Sequence, residues 1–244
     1  MIKADQPTCF PDDVAVVVSS KNDNTMLDRS RSFHDAPAIR DRAQFCEQVS
    51  LRYDHCVFQL IQYDDNQTYC HVVEVNESDV TAEREEVAGD GLFTTIQGVG
   101  LFLPVADCVA TVVYDPVLRY IALLHLGRHA TYADLSTCAV TYFTEKGSRP
   151  NDLIVWMSPS AKRETYWVDN FDFENDPKWQ NYYEKNDGKY YLDLPGYNQQ
   201  RFIENGVQPA NIHISGINTM TNPDYFSHRG GDAKGRIAVV AMIR

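Results

Sequence analysis

Hydrophobic positions along the chain fall into short runs separated by polar, Gly- and Pro-containing stretches, the pattern of strands joined by turns with a few helices between them. DDVAVVVSS (12–20) predicts a first strand, and the polar stretch 21–37 predicts an exposed loop. Ile39, Phe45 and Val49 stand near helical spacing and predict a short helix over 37–51. CVFQLIQ (56–62) and TYCHVVEV (68–75) read as two strands joined by a hairpin around Asp64–Asn66. The acidic stretch 76–91, with Glu77, Asp79, Glu83, Glu85, Glu86 and Asp90, reads as a solvated loop, because like charges repel and extend a chain. GLFTTI and GVGLFLPV follow as strands.

Further on, RHATYADLSTCAVTYFTEKG (128–147) predicts one helix. Tyr132, Leu135, Ala139, Tyr142 and Phe143 recur at three- and four-residue steps, and Gly147 is placed to end it. DLIVWM is a short apolar strand, and 169–189, polar and aromatic without a clean period, reads as a surface excursion. PGYNQQRFIENG suits a helix with Pro195 at its start and Gly206 past its end; ANIHISGI and GRIAVVAMI are the closing strands. Strands outnumber helices, so the expected class is α+β, or mixed α/β: a single domain with a large mixed sheet flanked by helices.

The charge changes the list of partners. A net charge of −12 argues against a phosphate-backbone binder and against an anionic membrane surface, both of which ask for a basic face. A few arginines gathered in one pocket remain compatible with small phosphate-bearing substrates. No stretch approaches the roughly 18 continuous apolar residues of a membrane span. The N-terminus lacks a basic region followed by an apolar core, so the expected location is the cytoplasm. The six cysteines, Cys9, Cys46, Cys56, Cys70, Cys108 and Cys138, have no CxxC spacing and are expected as free thiols.

VADCVATVVYDPVLRYIALLHLGRHAT (105–131) holds the chemistry. Two apolar strands flank Asp115-Pro116-Val117-Leu118, and Asp followed by Pro is what a type I turn prefers. With that turn closed tightly, Tyr114 faces Arg119, Val112 faces Ile121, Ala110 faces Leu123, and Cys108 faces His125. Directly opposed side chains have Cβ atoms ~4.5–5.5 Å apart, near enough for a thiol and an imidazole to share a proton or a metal. A one-residue slip would place them on opposite faces. The plain alternative is a buried Cys packing as a small hydrophobe beside a backbone-satisfied His.

The ordered motifs of residues 56–244 resemble a known family. ADC, an apolar strand, YDP, a second strand and HLGRHAT (family pattern HAGWRGT) are followed by LIVWMSP (153–159), GKYYLDLPGYNQQRFIENGV (188–207) and NTMTNPDYFSHRGGDAKGR (218–236). Gly89-Asp90 resembles the family's upstream Ala-Asp pair. The family is the bacterial laccase-like, or polyphenol-oxidase-like, one, regarded as purine nucleoside phosphorylases and also described as peptidoglycan-editing factors. The resemblance implies phosphorolysis of adenosine, inosine or methylthioadenosine, and hydrolytic deamination of adenosine. It also implies a Cys/His/His metal site, with zinc ahead of copper.

Carried onto this chain, Cys108 and His125 are catalytic and metal-ligating. The third member is either Asp64, by strand pattern, or His71, by chemistry. Arg128, Arg229 and Arg236 are candidates to hold phosphate, because the guanidinium fork suits its oxygens. His129 lies four residues after His125, but His125 should still be in a strand, so the two are not expected to form a helical metal pair. The chain departs from the pattern where Arg128-His129 replace Trp-Arg, where Asn218 replaces a Cys, and where His228-Arg229-Gly230 replace Tyr-Arg-Arg. Alternatives are a copper-dependent polyphenol oxidase and a catalytically degenerate binding or regulatory member of the same fold.

Overall fold

The computed structural model describes residues 1–63, 68–80 and 86–244. The turn expected at Asp64–Asn66, the candidate Asp64, and Glu83 and Glu85 lie outside the described residues. In chain order the first elements are β1 (Val14–Val18), α1 (Ala36–Glu47), β2 (Cys56–Leu60), β3 (Val72–Glu74), β4 (Glu86–Ala88), β5 (Gly91–Thr94) and β6 (Gly100–Val105). β7 (Val109–Asp115), β8 (Tyr120–Leu126), α2 (Arg128–Tyr132), α3 (Leu135–Glu145) and β9 (Ile154–Met157) follow. The chain closes with β10 (Trp167–Val168), β11 (Tyr183–Asn186), β12 (Lys189–Leu192), α4 (Leu194–Glu204), β13 (Ile212–Ile214) and β14 (Ile237–Ile243).

The mixed α/β class with flanking helices holds; β10, β12 and β11 form a small third sheet, and the other strands divide between two large stacked ones. One runs β1-β14-β6-β2-β4 and the other β13-β9-β7-β8-β5-β3; each contains both parallel and antiparallel pairs. Side-chain alternation builds the layers. Along β14, Ile237, Val239, Ala241 and Ile243 enter the core between the sheets, while Ala238, Val240 and Met242 pack outward with Phe45 of α1. Along β7, Ala110, Val112 and Tyr114 face the first sheet, and Val109 and Val113 face α3 and α4. The result is four layers, helix–sheet–sheet–helix, which explains why β7 is buried along its whole length.

Four expectations change. β2 and β3 do not form a hairpin: β2 pairs in parallel with β6 and β4, whereas β3 pairs in parallel with β5 in the other sheet. The helix expected over 128–147 is two helices. Asp134 adopts a left-handed conformation (φ 63°) between them, and its carboxylate takes a fork of hydrogen bonds from Arg201 Nε and Nη2. Asp79 and Asp90 in the acidic stretch are buried, not solvated. Residues 169–189 are anchored through an aromatic cluster. Trp179, 1% exposed, stacks on Tyr197 at 3.8 Å, and Asp187-Gly188 turn β11 back into β12, both at positive φ.

The thiol expectation also changes. Cys70 and Cys138 form a disulfide that ties the segment before β3 to α3, and Cys9, Cys46, Cys56 and Cys108 remain free. No described helix is long and apolar enough to cross a membrane.

The β7–β8 turn is wider than the sequence suggested. Asp115 pairs with Tyr120, leaving four residues in the loop, and Arg119 closes it in the left-handed region (φ 57°). Asp115, 1% exposed, accepts from the backbone N–H groups of Val117 (2.8 Å) and Leu118 (3.0 Å), so the side chain builds the reversal. Asp115→Ala removes both bonds and is expected to lower stability by about 1–3 kcal/mol. Urea denaturation would measure it, with Asp115→Asn losing less because its amide oxygen can still accept.

Candidate active site

The true register moves every pair along β7–β8 by two residues. Ala110 lies opposite His125, Val112 opposite Leu123 and Tyr114 opposite Ile121. A shift of two preserves the face, because side chains alternate with a period of two. Cys108 sits just before β7, and His125 is the next-to-last residue of β8, so both come to one end of the inter-sheet core. Gly127 brings them together. A Cβ there would lie 3.2 Å from Cys108 Sγ, and 2.9 and 3.3 Å from His125 Cε1 and Nε2. Both side chains line the same cavity.

Buried acids hold the two strand ends in place. Asp107, 5% exposed and at φ 71°, accepts from Thr219 Oγ1 at 2.7 Å and from the Arg229 backbone N–H at 2.8 Å. It thereby ties the segment before β7 to the C-terminal loop. The Asp90 carbonyl accepts from His125 N at 2.9 Å, and its carboxylate accepts from His71 N at 2.9 Å. Asp90 therefore positions His125 by its backbone.

Burial also sets the protonation states. It pushes the Cys108 thiol up to about 11, with the Asp107 carboxylate adding to the effect and Arg236, Arg128 and Arg229 opposing it. It pushes His125 down to about 4, with His129 contributing. Cys108 faces a cavity, yet protein surrounds that cavity closely enough to disfavour a thiolate. At neutral pH the pair is thiol and neutral imidazole, not the thiolate–imidazolium pair that a Cys–His contact can also form.

The cavity has two lobes meeting at Cys108 and His125. The first, about 280 Å³, is walled by apolar groups including Phe33, Ile61, Pro104 and Val105 and carries Gln59, Glu86 and Arg236. The second, about 470 Å³, holds Arg128, Arg229, His129, Tyr69 and Tyr166. Arg29, Tyr63 and His228 line both. The three arginines expected at the site are thus all present, and a fourth, Arg29, comes from the N-terminal loop that carried no motif.

Among the described residues, Arg29, Arg128 and Arg236 have no carboxylate within ion-pair distance. Arg229 donates to the Trp167 carbonyl at 2.7 Å and lies over the rings of Tyr166 and Trp167. Arg236 is 7% exposed, and burial together with Arg29 lowers its proton affinity. Like charges gathered this way are stabilised by an anion between them.

The remaining expected residues separate. His71 is exposed and does not line either lobe. His129 is not paired with His125 on a helix face; its ring stacks on Tyr69 at 5.0 Å in the second lobe. Tyr69 is held at φ 54° beside the Cys70–Cys138 disulfide. Asn218, where the family pattern has Cys, donates to Glu164 and Thr165 and accepts from Met220 N, a structural task within its loop.

Among the described residues no three His, Cys, Asp or Glu side chains converge at metal-binding distance. Cys108 and His125 suit zinc by donor type, but a catalytic zinc takes three protein ligands, and the described residues supply two. They do not by themselves make the zinc site.

Residues 18–244 match the family described as multi-copper polyphenol oxidoreductase laccase. The chain belongs to this family. Among its relatives, purine nucleoside phosphorylase YlmD of Bacillus subtilis is 31% identical over 156 residues, 60% of this chain. The match spans 55% of that relative's length. A purine nucleoside phosphorylase of Xylella fastidiosa is 27% identical over 183 residues, covering 71% of this chain and 69% of the relative. In fold, the structure of YlmD from Geobacillus stearothermophilus superposes with a TM-score of 0.80 at 21% identity, covering 96% of this chain and 93% of that one. The YfiH protein of Bacillus licheniformis gives the same TM-score, 0.80, over 95% and 93%.

Gly127 offers a direct test of the pairing. Its φ of −78° is open to any residue, so Gly127→Ala leaves the backbone unstrained while its methyl presses on His125 and Cys108. The variant is expected to keep wild-type thermal stability to within a few degrees and to lose about a hundredfold in turnover, as displacements near 1 Å at reacting groups do. Unchanged turnover would show that the contact between the two side chains does not matter.

Proposed function

We propose that this chain is a purine nucleoside phosphorylase, taking adenosine, inosine or methylthioadenosine together with inorganic phosphate. The observation that carries the reading is the placement of Cys108 and His125 where an apolar lobe meets a lobe bearing Arg128 and Arg229. A phosphorolysis site needs those parts: a surface for the base, a cradle for an anion, and proton-bearing groups between them. The family's phosphorylase-named relatives support the same class.

In this reading the arginines of the second lobe bind phosphate and orient one oxygen toward the anomeric carbon of the ribose. As the new C–O bond forms, the bond from that carbon to the purine nitrogen breaks, and the purine leaves with a proton. Cys108, kept protonated by burial, is the donor beside the leaving base, and neutral His125 is placed to relay a proton from water back to the sulfur, gaining one on one ring nitrogen as it gives up the one on the other. The arginines do most of their work before chemistry, by desolvating and aiming a dianion that water would otherwise hold.

Purified protein incubated with each nucleoside, with and without phosphate, tests this. Phosphate-dependent release of free base is expected, and both Cys108→Ala and His125→Ala should reduce it by about a hundredfold or more. Ammonia release from adenosine without phosphate would instead mark hydrolytic deamination. Oxidation of phenols would mark the copper enzyme, and inert protein the binding member of the family. Arg128→Gln should raise the phosphate KM by about tenfold while changing the nucleoside KM little.

Zinc is the alternative to the proton-donor role of Cys108, since an ion would take Cys108 as its thiolate; it would be held by Cys108 and His125, with Asp64 as the remaining candidate donor. It would supply Lewis acidity to the site. Elemental analysis decides between the two roles: about one zinc per chain, lost in both Cys108→Ala and Asp64→Ala, marks Cys108 as a ligand, and zinc-free active protein marks it as the proton donor. Zinc retained by Asp64→Ala would remove that residue from the ligand set.

A further inference from the structure

Among the described residues lining the apolar lobe, Gln59 alone carries a fully buried polar atom without a partner. It lies on β2 on the same face as Val57, directed to the inter-sheet side, and is 5% exposed. Its Nε2 donates to the Gly89 carbonyl at 3.0 Å, and its Oε1 is buried with no hydrogen-bond partner among the described residues. The Gly89 bond also settles which way round the amide sits: with the NH₂ spent on a carbonyl, the remaining oxygen can only accept. A buried acceptor without a donor is costly, and such groups in native proteins are completed by water or a ligand.

The rest of the lobe tells which donor fits. Phe33, Ile61, Pro104 and Val105 present apolar surface suited to the faces of a flat ring system. Glu86, on the neighbouring strand, is a second acceptor in the lining, on the sheet face opposite Gln59 because it pairs with Phe58. The cationic groups of this lobe, Arg29 and Arg236, act on Cys108 and Tyr63 at the junction with the other lobe.

We propose that this lobe is the nucleobase subsite and that Gln59 reads the base through its Oε1, selecting 6-amino purines over 6-oxo purines. The proposal rests on the phosphorylase reading for the identity of the ligand as a purine nucleoside. Adenine offers an exocyclic N–H₂ where hypoxanthine offers a carbonyl oxygen, and an acceptor facing an acceptor leaves both unpaired. Sites built to hydrogen-bond one group reject the analogue that lacks it more strongly than apolar contact can. Gln59 is in this sense a specificity residue, with no part in moving the proton or binding phosphate.

Free adenine and free hypoxanthine, neither of which can be phosphorolysed, make suitable probes. Calorimetry on the wild-type protein is expected to show adenine binding about tenfold or more tightly than hypoxanthine. In Gln59→Leu, adenine affinity should fall by about tenfold while hypoxanthine affinity stays within about twofold, which removes the preference. Because Leu also gives up the Gly89 bond, Gln59→Glu serves as the second variant: it retains an acceptor at the same reach and should keep the preference for adenine. Equal binding of the two bases to wild-type protein, or equal losses in Gln59→Leu, would overturn the assignment. Turnover assays on the same preparations separate the two readings. Nucleosides cleaved without a base preference would sink the role of Gln59 alone, whereas bases bound selectively by a protein that cleaves no nucleoside would sink the phosphorylase reading alone.

Discussion

The antiparallel ladder between β7 and β8 is the constraint on which the site depends. Its register is set at the far end of the hairpin, where the buried Asp115 carboxylate gathers the N–H groups of Val117 and Leu118 into a four-residue reversal. The two strands are buried between layers on both faces, so a slip by one residue would move apolar side chains between two different cores and bring Cys108 and His125 to opposite sides. Stability and chemistry therefore impose the same register. The strand ends that emerge from the core are held by Asp107 and Asp90, each of which binds backbone groups of a neighbouring segment.

An acidic chain with a net charge of −12 nevertheless gathers four arginines around one cavity. They come from the N-terminal loop, from the start of α2 and from the C-terminal loop, three segments far apart in the chain. Their mutual repulsion and their desolvation oppose folding, and most lack, among the described residues, the carboxylate partners that would offset it. The same desolvation holds Cys108 as a thiol and His125 as a neutral imidazole. A site poised in this way interacts more strongly with an entering anion than solvent-exposed arginines would, because the local dielectric is low and the groups are already in place.

The alternation of apolar residues in 105–131 was enough to place Cys108 and His125 on one face, even though the assumed turn was two residues too tight. Period-two alternation is insensitive to a shift of two, which is why the pairing of faces was legible while the pairing of individual residues was not. The Asp187-Gly188 hairpin was also legible in principle, since that dipeptide favours the backbone a two-residue turn requires. The break at Asp134 was not, because it is held by Arg201, a residue on another helix. The hairpin expected between β2 and β3 failed for a related reason: adjacent strands in sequence pair by default, but here each found a parallel partner in a different sheet.

By itself the sequence determined the local elements, the order of the motifs that mark the family, and the shared face of Cys108 and His125, since all of these arise from periodicity and turn chemistry within a few residues. Only the tertiary structure decided that His71 lies outside the cavity and that Cys70 and Cys138 join. It alone brought Arg29 in from a loop without any motif and left Gln59 with an unfilled acceptor against the cavity wall. Those outcomes depend on which distant strand or loop packs alongside, and a pattern of hydrophobic and polar residues records that a face is buried without recording what buries it.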